Sequence, residues 1–138
     1  MKVSPGMLTS AVSGISNDLA TYALSSFRKY YAAGEVKNLN KLMIVDYTIP
    51  GSKNRFWLLS TDGKTIQTDL FTKVAHGKNS GASGTGIPTS FSNKDGSKKS
   101  SVGALVTAST YQSSAGRPKS KKQKGIKEVG AVYLYPII

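Results

Sequence analysis

The stretch KLMIVDYTIPGSKNRFWLLSTDGKTIQTDLFTKVAHG, residues 41–77, decides the fold class of this chain. It contains three runs rich in β-branched and aromatic residues, a composition typical of strands. The runs are separated by Pro50-Gly51-Ser52 and by Thr61-Asp62-Gly63-Lys64. Both separators have turn chemistry, and Asp-Gly is a strong hairpin signal. The stretch therefore predicts an antiparallel meander of three strands.

The residues before this stretch predict an amphipathic helix packed on the rest of the domain. Apolar residues recur there at steps of three or four, which places them on one helix face. They are Leu8, Val12, Ile15, Leu19, Ala23, Phe27 and Tyr30. Ser16 or Asn17 starts or interrupts the helix, because both residues compete for backbone hydrogen bonds. Gly34 signals its end.

The residues after the meander begin with a long polar segment, Gly77–Ser101, made largely of Gly, Ser, Asn and Lys. Loops of this length inside a domain are usually functional or disordered. Val102–Tyr111 alternates as a fourth strand would. The apolar end, Val129–Ile138, is too short to span a bilayer and is interpreted either as a last strand or as a poorly ordered terminus.

These elements predict an α+β fold, a helix packed on a mostly antiparallel sheet or sandwich. The expected organisation is a helical segment over residues 1–34, a β domain over 35–116 and a basic tail with a short apolar end over 117–138.

The composition excludes several kinds of site. A chain of 138 residues with 38% hydrophobic residues fits one domain. It contains no cysteine, which excludes disulfides, thiolate metal sites and a cysteine nucleophile. One histidine and seven acidic residues argue against a catalytic metal, which usually takes three protein ligands, so we expect no metal and no cofactor. No signal-peptide core or membrane-length apolar run is visible, so we expect a soluble chain without an export signal.

The charge predicts polyanionic partners. Nineteen Lys and Arg residues against seven acidic residues give a net charge of +12, which attracts nucleic acid, anionic lipid or anionic wall polymers. One candidate function is therefore a basic module that binds nucleic acid or another anionic polymer through the C-terminal basic run. That run contains Arg117, Lys119, Lys121, Lys122, Lys124 and Lys127. Proteins that bind single-stranded nucleic acid require aromatic residues interleaved with the basic ones, and this run has no such interleaving.

Four blocks carry a family resemblance. They are LMIVDYTIPGSKNRFWLL (42–59), VAHGKNSG (74–81), FSNKDGSKKSSVG (91–103) and TASTYQ (107–112). In order and spacing they resemble the murein L,D-transpeptidase catalytic domain family (YkuD-like), over roughly Leu19 to Gly116. The resemblance implies an exported cysteine acyltransferase that attacks peptidoglycan stem peptides, with a periplasmic or cell-envelope location. The family's catalytic His-Gly strand and Gly-Cys loop lie beyond the last block and have no counterpart here.

The resemblance also implies a set of residues that line the substrate cleft. His76 belongs to the HGxxSG block, so it is not the family's catalytic base, and we expect no catalytic residue in this chain. The candidate substrate-binding residues are His76, Gly77, Asn79, Ser80, Gly81, Ser92, Asn93, Ser100, Ser101 and Gly103. The alternative is that these residues merely cap turns.

The implied function is L,D-transpeptidase-like, in wall cross-linking or stem-peptide trimming, but without catalysis because a covalent nucleophile is missing. A non-catalytic wall-binding protein is a further alternative. The resemblance is expected to stop between Tyr111 and Gly116, which fits either a lost reading frame or a chain that evolved to end this way. An incomplete sheet exposes an unpaired edge, so we expect self-association or a partner there.

Overall fold

The fold is α+β, as predicted. The computed structural model describes residues 3–36, 38, 40–106 and the strand residues 112–113, 123–124 and 131–135. In chain order the elements are helices α1 (Pro5–Ala11) and α2 (Asn17–Ala32), then strands β1 (Lys41–Asp46), β2 (Phe56–Thr61), β3 (Ile66–Thr72), β4 (Gly103–Val106), β5 (Gln112–Ser113), β6 (Gln123–Lys124) and β7 (Ala131–Tyr135).

The predicted helix is interrupted at the place that Ser16 and Asn17 indicated. The Ser4 hydroxyl caps α1 by accepting from the Met7 amide at 3.2 Å, and the Ser16 hydroxyl caps α2 by accepting from the Leu19 amide at 3.2 Å. Each cap satisfies an amide that has no partner in the first helical turn, worth about 1 kcal/mol. The chain therefore forms two helices joined by a corner.

The three predicted meander strands are confirmed. A five-stranded sheet has the order β3-β2-β1-β7-β4, in which only the β1–β7 pair is parallel. Within the apolar end of the chain, Ala131–Tyr135 thus form a strand inside the sheet. β4 covers the start of the predicted strand Val102–Tyr111, and the residues 107–111 lie outside the described part. β5 and β6 form a separate antiparallel pair.

The helices cover one face of the sheet and form the main core with it. Alternate residues of β1 and β2 point to this face because successive strand residues point to opposite sides. The Trp57 indole donates to the Ser13 carbonyl at 3.3 Å and stacks on Phe71 at 4.9 Å between ring centroids. Fully buried aliphatic side chains of this core include Val3, Leu8, Leu19, Leu24, Leu42, Ile44 and Leu59. Burying each such aliphatic side chain contributes about 1.5–3 kcal/mol.

A second, smaller cluster lies on the opposite face of the sheet, at the end of β1. It contains the buried side chains of Val45 and Tyr47, packed against Phe56, Val74 and Phe91. The rings of Tyr47 and Phe91 lie 5.8 Å apart. Since Phe91 belongs to the long polar segment, this contact fixes that segment against the sheet on the side away from the helices.

The described sheet has two edge strands that carry exposed apolar side chains. On β3, Leu70 and Phe71 are exposed, and on β4 Leu105 and Val106 are exposed. Self-association through such an edge stays a prediction. Within the described residues, no helix has both the length and the apolar character needed to cross a bilayer.

Candidate functional site

Residues 77–101, called the polar loop below, bring two of the sequence blocks together. The Gly77 amide donates to the Ser100 hydroxyl at 2.7 Å, and the Asn79 amide donates to the Lys98 carbonyl at 3.0 Å. The Asn79 side-chain amide donates to the Ser97 carbonyl at 2.9 Å. The HGKNSG block therefore lies directly against the GSKKSS block.

Ser80 is the centre of this arrangement and is fully buried. Its hydroxyl accepts from the Ser100 amide at 2.7 Å, and its own amide donates to the Gly77 carbonyl at 3.0 Å. Its carbonyl accepts from the Thr89 amide at 2.8 Å and the Ser90 amide at 2.9 Å. Four hydrogen bonds thus converge on one residue, so Ser80 holds the loop together from inside.

Gly77 is required for the close approach of the two blocks. A Cβ atom added at Gly77 would lie 2.7 Å from the Ser100 nitrogen and 2.8 Å from the Lys98 carbonyl oxygen. Both are backbone atoms that cannot rotate away. The approaching backbone is the loop's own, and glycine permits this approach because it has no Cβ atom.

Two further predicted glycines adopt backbone angles that favour glycine. Gly81 has φ of 94° and Gly103 has φ of 100°. Gly103 begins β4, where a Cβ would lie 3.5 Å from the Tyr22 hydroxyl of α2. Positive φ is costly for most other residues, so glycine suits both positions conformationally.

His76 is buried and carries an unpaired ring nitrogen. Its backbone amide donates to the Gly84 carbonyl at 3.2 Å, and its Nδ1 lies 3.0 Å from the Gly77 carbonyl oxygen. Since a carbonyl oxygen only accepts, Nδ1 donates to it, and in the neutral ring Nε2 is then an acceptor. Nε2 is buried and has no partner among the described residues. In the described part of the chain, therefore, no hydroxyl is hydrogen-bonded to His76 for it to activate.

The remaining predicted residues divide between turn caps and exposed groups. The Ser92 hydroxyl accepts from the Lys94 amide at 3.0 Å, which is a turn cap. The Ser101 hydroxyl donates to the Ser92 carbonyl at 3.4 Å, and the Ser92 amide donates to the Ser100 carbonyl at 3.1 Å. Asn93 is exposed. The turn-capping alternative thus describes Ser92 well, while Asn93 remains open to a ligand.

Arg55 is a site residue that the sequence analysis missed. It is fully buried, and its guanidinium donates to the carbonyls of Val74 at 2.9 Å, Ile49 at 2.9 Å and Gly86 at 3.0 Å. It also lies 4.9 Å from the centroid of the Tyr47 ring. Arg55 therefore ties the turn after β1, the segment after β3 and the polar loop into one unit.

The surroundings of Arg55 are fitted to this side chain. A Cβ at Gly51 would lie 2.7 Å from the Arg55 Nη2 atom. Nη2 has no partner among the described residues. Burial lowers the pKa of Arg55, and the electrostatic effects of the nearby Tyr47 and Asp46 act in the opposite direction and raise it. The signal available in the sequence was one charged residue at the start of the apolar run FWLL.

Two contacts join a serine to a lysine, the pairing used by some hydrolases. Lys41 Nζ lies 2.5 Å from the Ser60 hydroxyl and 2.6 Å from Asp69, with which it forms a salt bridge. The Lys41 and Ser60 hydrogen bonds lower the pKa of Asp69. The Ser60 hydroxyl accepts from Lys41 and donates its own proton to the Asp69 carboxylate, so that proton is not directed at the lysine nitrogen.

The second contact lies in the polar loop, where Lys99 Nζ donates to the Ser90 hydroxyl at 2.7 Å. A serine nucleophile commonly uses its own amide as an oxyanion donor. The Ser90 amide is already bound to the Ser80 carbonyl at 2.9 Å. Neither serine is therefore set up as a nucleophile.

Other candidate features add no predicted site residue. A depression of about 250 Å³ lies at the β2–β3 hairpin, lined by Ser60, Thr61, Asp62, Thr65 and Gln67. Across the described residues, no three His, Asp or Glu side chains come close enough to bind a metal ion.

Of the predicted polyanion-binding residues, Lys124 lies in β6. The others, Arg117, Lys119, Lys121, Lys122 and Lys127, lie outside the described residues.

Residues 11–129 match the L,D-transpeptidase catalytic domain, which covers most of the chain. The chain belongs to this family. The match continues beyond Gly116, where the sequence resemblance was expected to stop. Membership implies peptidoglycan as the substrate class and association with the cell envelope. Comparison with curated proteins and with solved structures gave no match.

Proposed function

We propose that this chain is a peptidoglycan-binding member of the L,D-transpeptidase family that binds stem peptides without forming an acyl-enzyme. The observation that carries the proposal is the absence of cysteine from a chain whose polar loop is nonetheless fully built. The family's thioester requires a thiolate, and these 138 residues supply none. What remains is the hydrogen-bonded polar loop with its polar groups.

The hydroxyl groups of the described residues do not replace the thiolate. His76 Nε2 has no hydroxyl partner, Lys41 is paired with Asp69, and the Ser90 amide is engaged by Ser80. Without an activated nucleophile, polar contacts alone stabilise a bound peptide but give no covalent intermediate.

The binding role rests on preorganisation. Hydrogen bonds inside the polar loop fix its backbone before any ligand arrives, so a stem peptide that binds there loses little affinity to loop ordering. The exposed Asn93 amide is the group that we assign to the peptide. A carbonyl of the peptide would accept a hydrogen bond from it.

The proposal is tested with purified tetrapeptide muropeptide. We expect saturable binding in a ligand-observed NMR titration, no mass increase of the protein by mass spectrometry and no release of terminal D-alanine. Asn93→Ala should weaken binding several-fold. The matched control is Asn17→Ala, which removes an equally exposed amide from α2 on the other side of the sheet.

Two outcomes would overturn the proposal. An acyl adduct, or released D-alanine above the level of a boiled control, would show that the chain is catalytic. Equal muropeptide binding by Asn93→Ala, Asn17→Ala and the unchanged chain, or no binding by any of them, would show that the polar loop is not the peptide site.

A further inference from the structure

We propose that three exposed lysines of the polar loop, Lys78, Lys94 and Lys98, form a binding surface for a linear phosphodiester polymer of the cell wall. They are called the lysine patch below. The proposal rests on the proposed wall association, but it concerns a ligand different from the stem peptide and residues outside the predicted cleft set.

The backbone of the loop brings the three lysines together. The hydrogen bond from the Asn79 amide to the Lys98 carbonyl, 3.0 Å, places Lys78 beside Lys98. The hydrogen bond from the Ser97 amide to the Lys94 carbonyl, 3.2 Å, closes a turn that returns Lys94 towards Lys98. All three residues are exposed. Exposed lysines from two separate sequence blocks thus have neighbouring backbones.

Lys98 is held in an unusual conformation at the centre of this surface. Its φ is 56°, one of two positive values among the described non-glycine residues. Such a conformation costs about 1 kcal/mol and persists where surrounding contacts fix it. The Asn79 amide bound to the Lys98 carbonyl is such a contact. The loop therefore maintains a strained backbone that presents a cation at its surface.

The charge of the patch is largely uncompensated. Asp95 is the one acidic residue in the polar loop, against four lysines there. The ion pair found among the described residues joins Lys41 to Asp69, in the sheet. A surface with several free cations binds a polyanion by releasing the counterions of that polymer.

The polar loop has no exposed aromatic ring, which favours a polymer without bases. Phe91 is the one aromatic residue of the polar loop, and it packs against Tyr47 with 5.8 Å between ring centroids. Stacking on aromatic side chains contributes about 1–3 kcal/mol per base to single-strand binding, and this patch lacks it. A polyol-phosphate chain needs only cations and hydroxyl donors, which the lysines and serines of the loop provide.

The test measures co-sedimentation with two preparations of the same sacculi. One carries its covalently attached polyol-phosphate polymer, and the other has been treated with hydrofluoric acid, which cleaves phosphodiesters. The patch variant replaces all three patch lysines with Gln. The control variant, Lys29→Gln/Lys53→Gln/Lys64→Gln, removes the same charge from exposed positions elsewhere. A third variant replaces the lysines between 119 and 127 with Gln.

We expect the patch variant to bind intact sacculi about tenfold or more weakly than the unchanged chain, with a smaller slope of log affinity against log salt. The control variant, and the variant with Gln in place of the lysines between 119 and 127, should lose much less affinity for intact sacculi. Binding of tetrapeptide muropeptide should be unchanged in the patch variant, so failure of this inference is separate from failure of the proposed function.

Three results would overturn the inference. Equal losses in the patch and control variants would assign the effect to net charge alone. A loss confined to the tail variant would move the site to the C-terminal run. Tighter binding to single-stranded DNA than to the polyol-phosphate polymer would identify a nucleic-acid surface instead.

Discussion

Replacing Gly77 with Ala should open the polar loop. The new Cβ would lie 2.7 Å from the Ser100 nitrogen and 2.8 Å from the Lys98 carbonyl oxygen, whereas ordinary contacts begin near 3.4 Å. The two backbone segments must separate by about 0.6 Å or more, which weakens the 2.7 Å bond from the Gly77 amide to Ser100. Overpacking of about 1–3 kcal/mol plus one lost hydrogen bond of about 1 kcal/mol gives about 2–4 kcal/mol.

The matched control is Gly84→Ala, where the new Cβ would lie 3.5 Å from the Ala75 Cβ and 3.7 Å from the His76 carbonyl oxygen. Both variants change the unfolded chain in the same way, so their difference isolates the clash. Thermal unfolding followed by circular dichroism should show Gly77→Ala melting about 8–16 °C below Gly84→Ala, at about 4 °C per kcal/mol. Equal melting temperatures would refute the close approach of the two loop segments.

Two further predictions concern stability. Arg55→Met leaves three carbonyls of half-buried residues without their donor and should lower the free energy of unfolding by about 3 kcal/mol in denaturant titration. The control, Arg28→Met, loses one hydrogen bond, to the Val3 carbonyl, and should lower the free energy of unfolding by about 1 kcal/mol. Equal losses of stability in the two variants would show that Arg55 does not hold the three segments together. Asp69→Asn tests stability in acid. Hydrogen bonds from Lys41 and Ser60 lower the pKa of the Asp69 carboxyl in the folded protein. The carboxylate therefore stabilises the fold fully above about pH 4, the pKa of Asp in the unfolded chain, and this stabilisation is lost as the pH falls further. The melting temperature of Asp69→Asn should therefore fall less between about pH 4 and pH 2 than that of the unchanged chain, and parallel curves would contradict this.

The local elements of the fold could be predicted because their signals are local. The Asp62-Gly63 turn and the two strands beside it need only alternation and turn chemistry, and the structure has them as β2 and β3. The interruption at Ser16 was likewise visible as a capping residue. The position of β7 between β1 and β4 was not predictable, because a short apolar run does not specify its neighbour.

The site was predicted less completely than the fold. The blocks around His76 and Ser100 were identified, and the structure brings them together through Ser80. Which side chains face inward was not visible, since serine caps a turn or lines a cleft with the same sequence pattern. Arg55 was missed because an isolated arginine in a sequence is usually exposed, and only tertiary contacts reveal three carbonyls around it.

An acyl-transfer site requires both a shape that holds the substrate and a nucleophile, and the hydrogen bonds of the polar loop concern only the shape. Among the described residues, the bonds that fix the polar loop, from the guanidinium of Arg55 to the hydroxyl of Ser80, join residues between 49 and 101. None involves a thiol, so the conformation of the loop does not depend on the group that performs the chemistry. We expect a loop built in this way to retain its surface when the nucleophile is absent, because no reacting group is needed to hold its hydrogen bonds. Binding is therefore the function that we propose for this arrangement of residues.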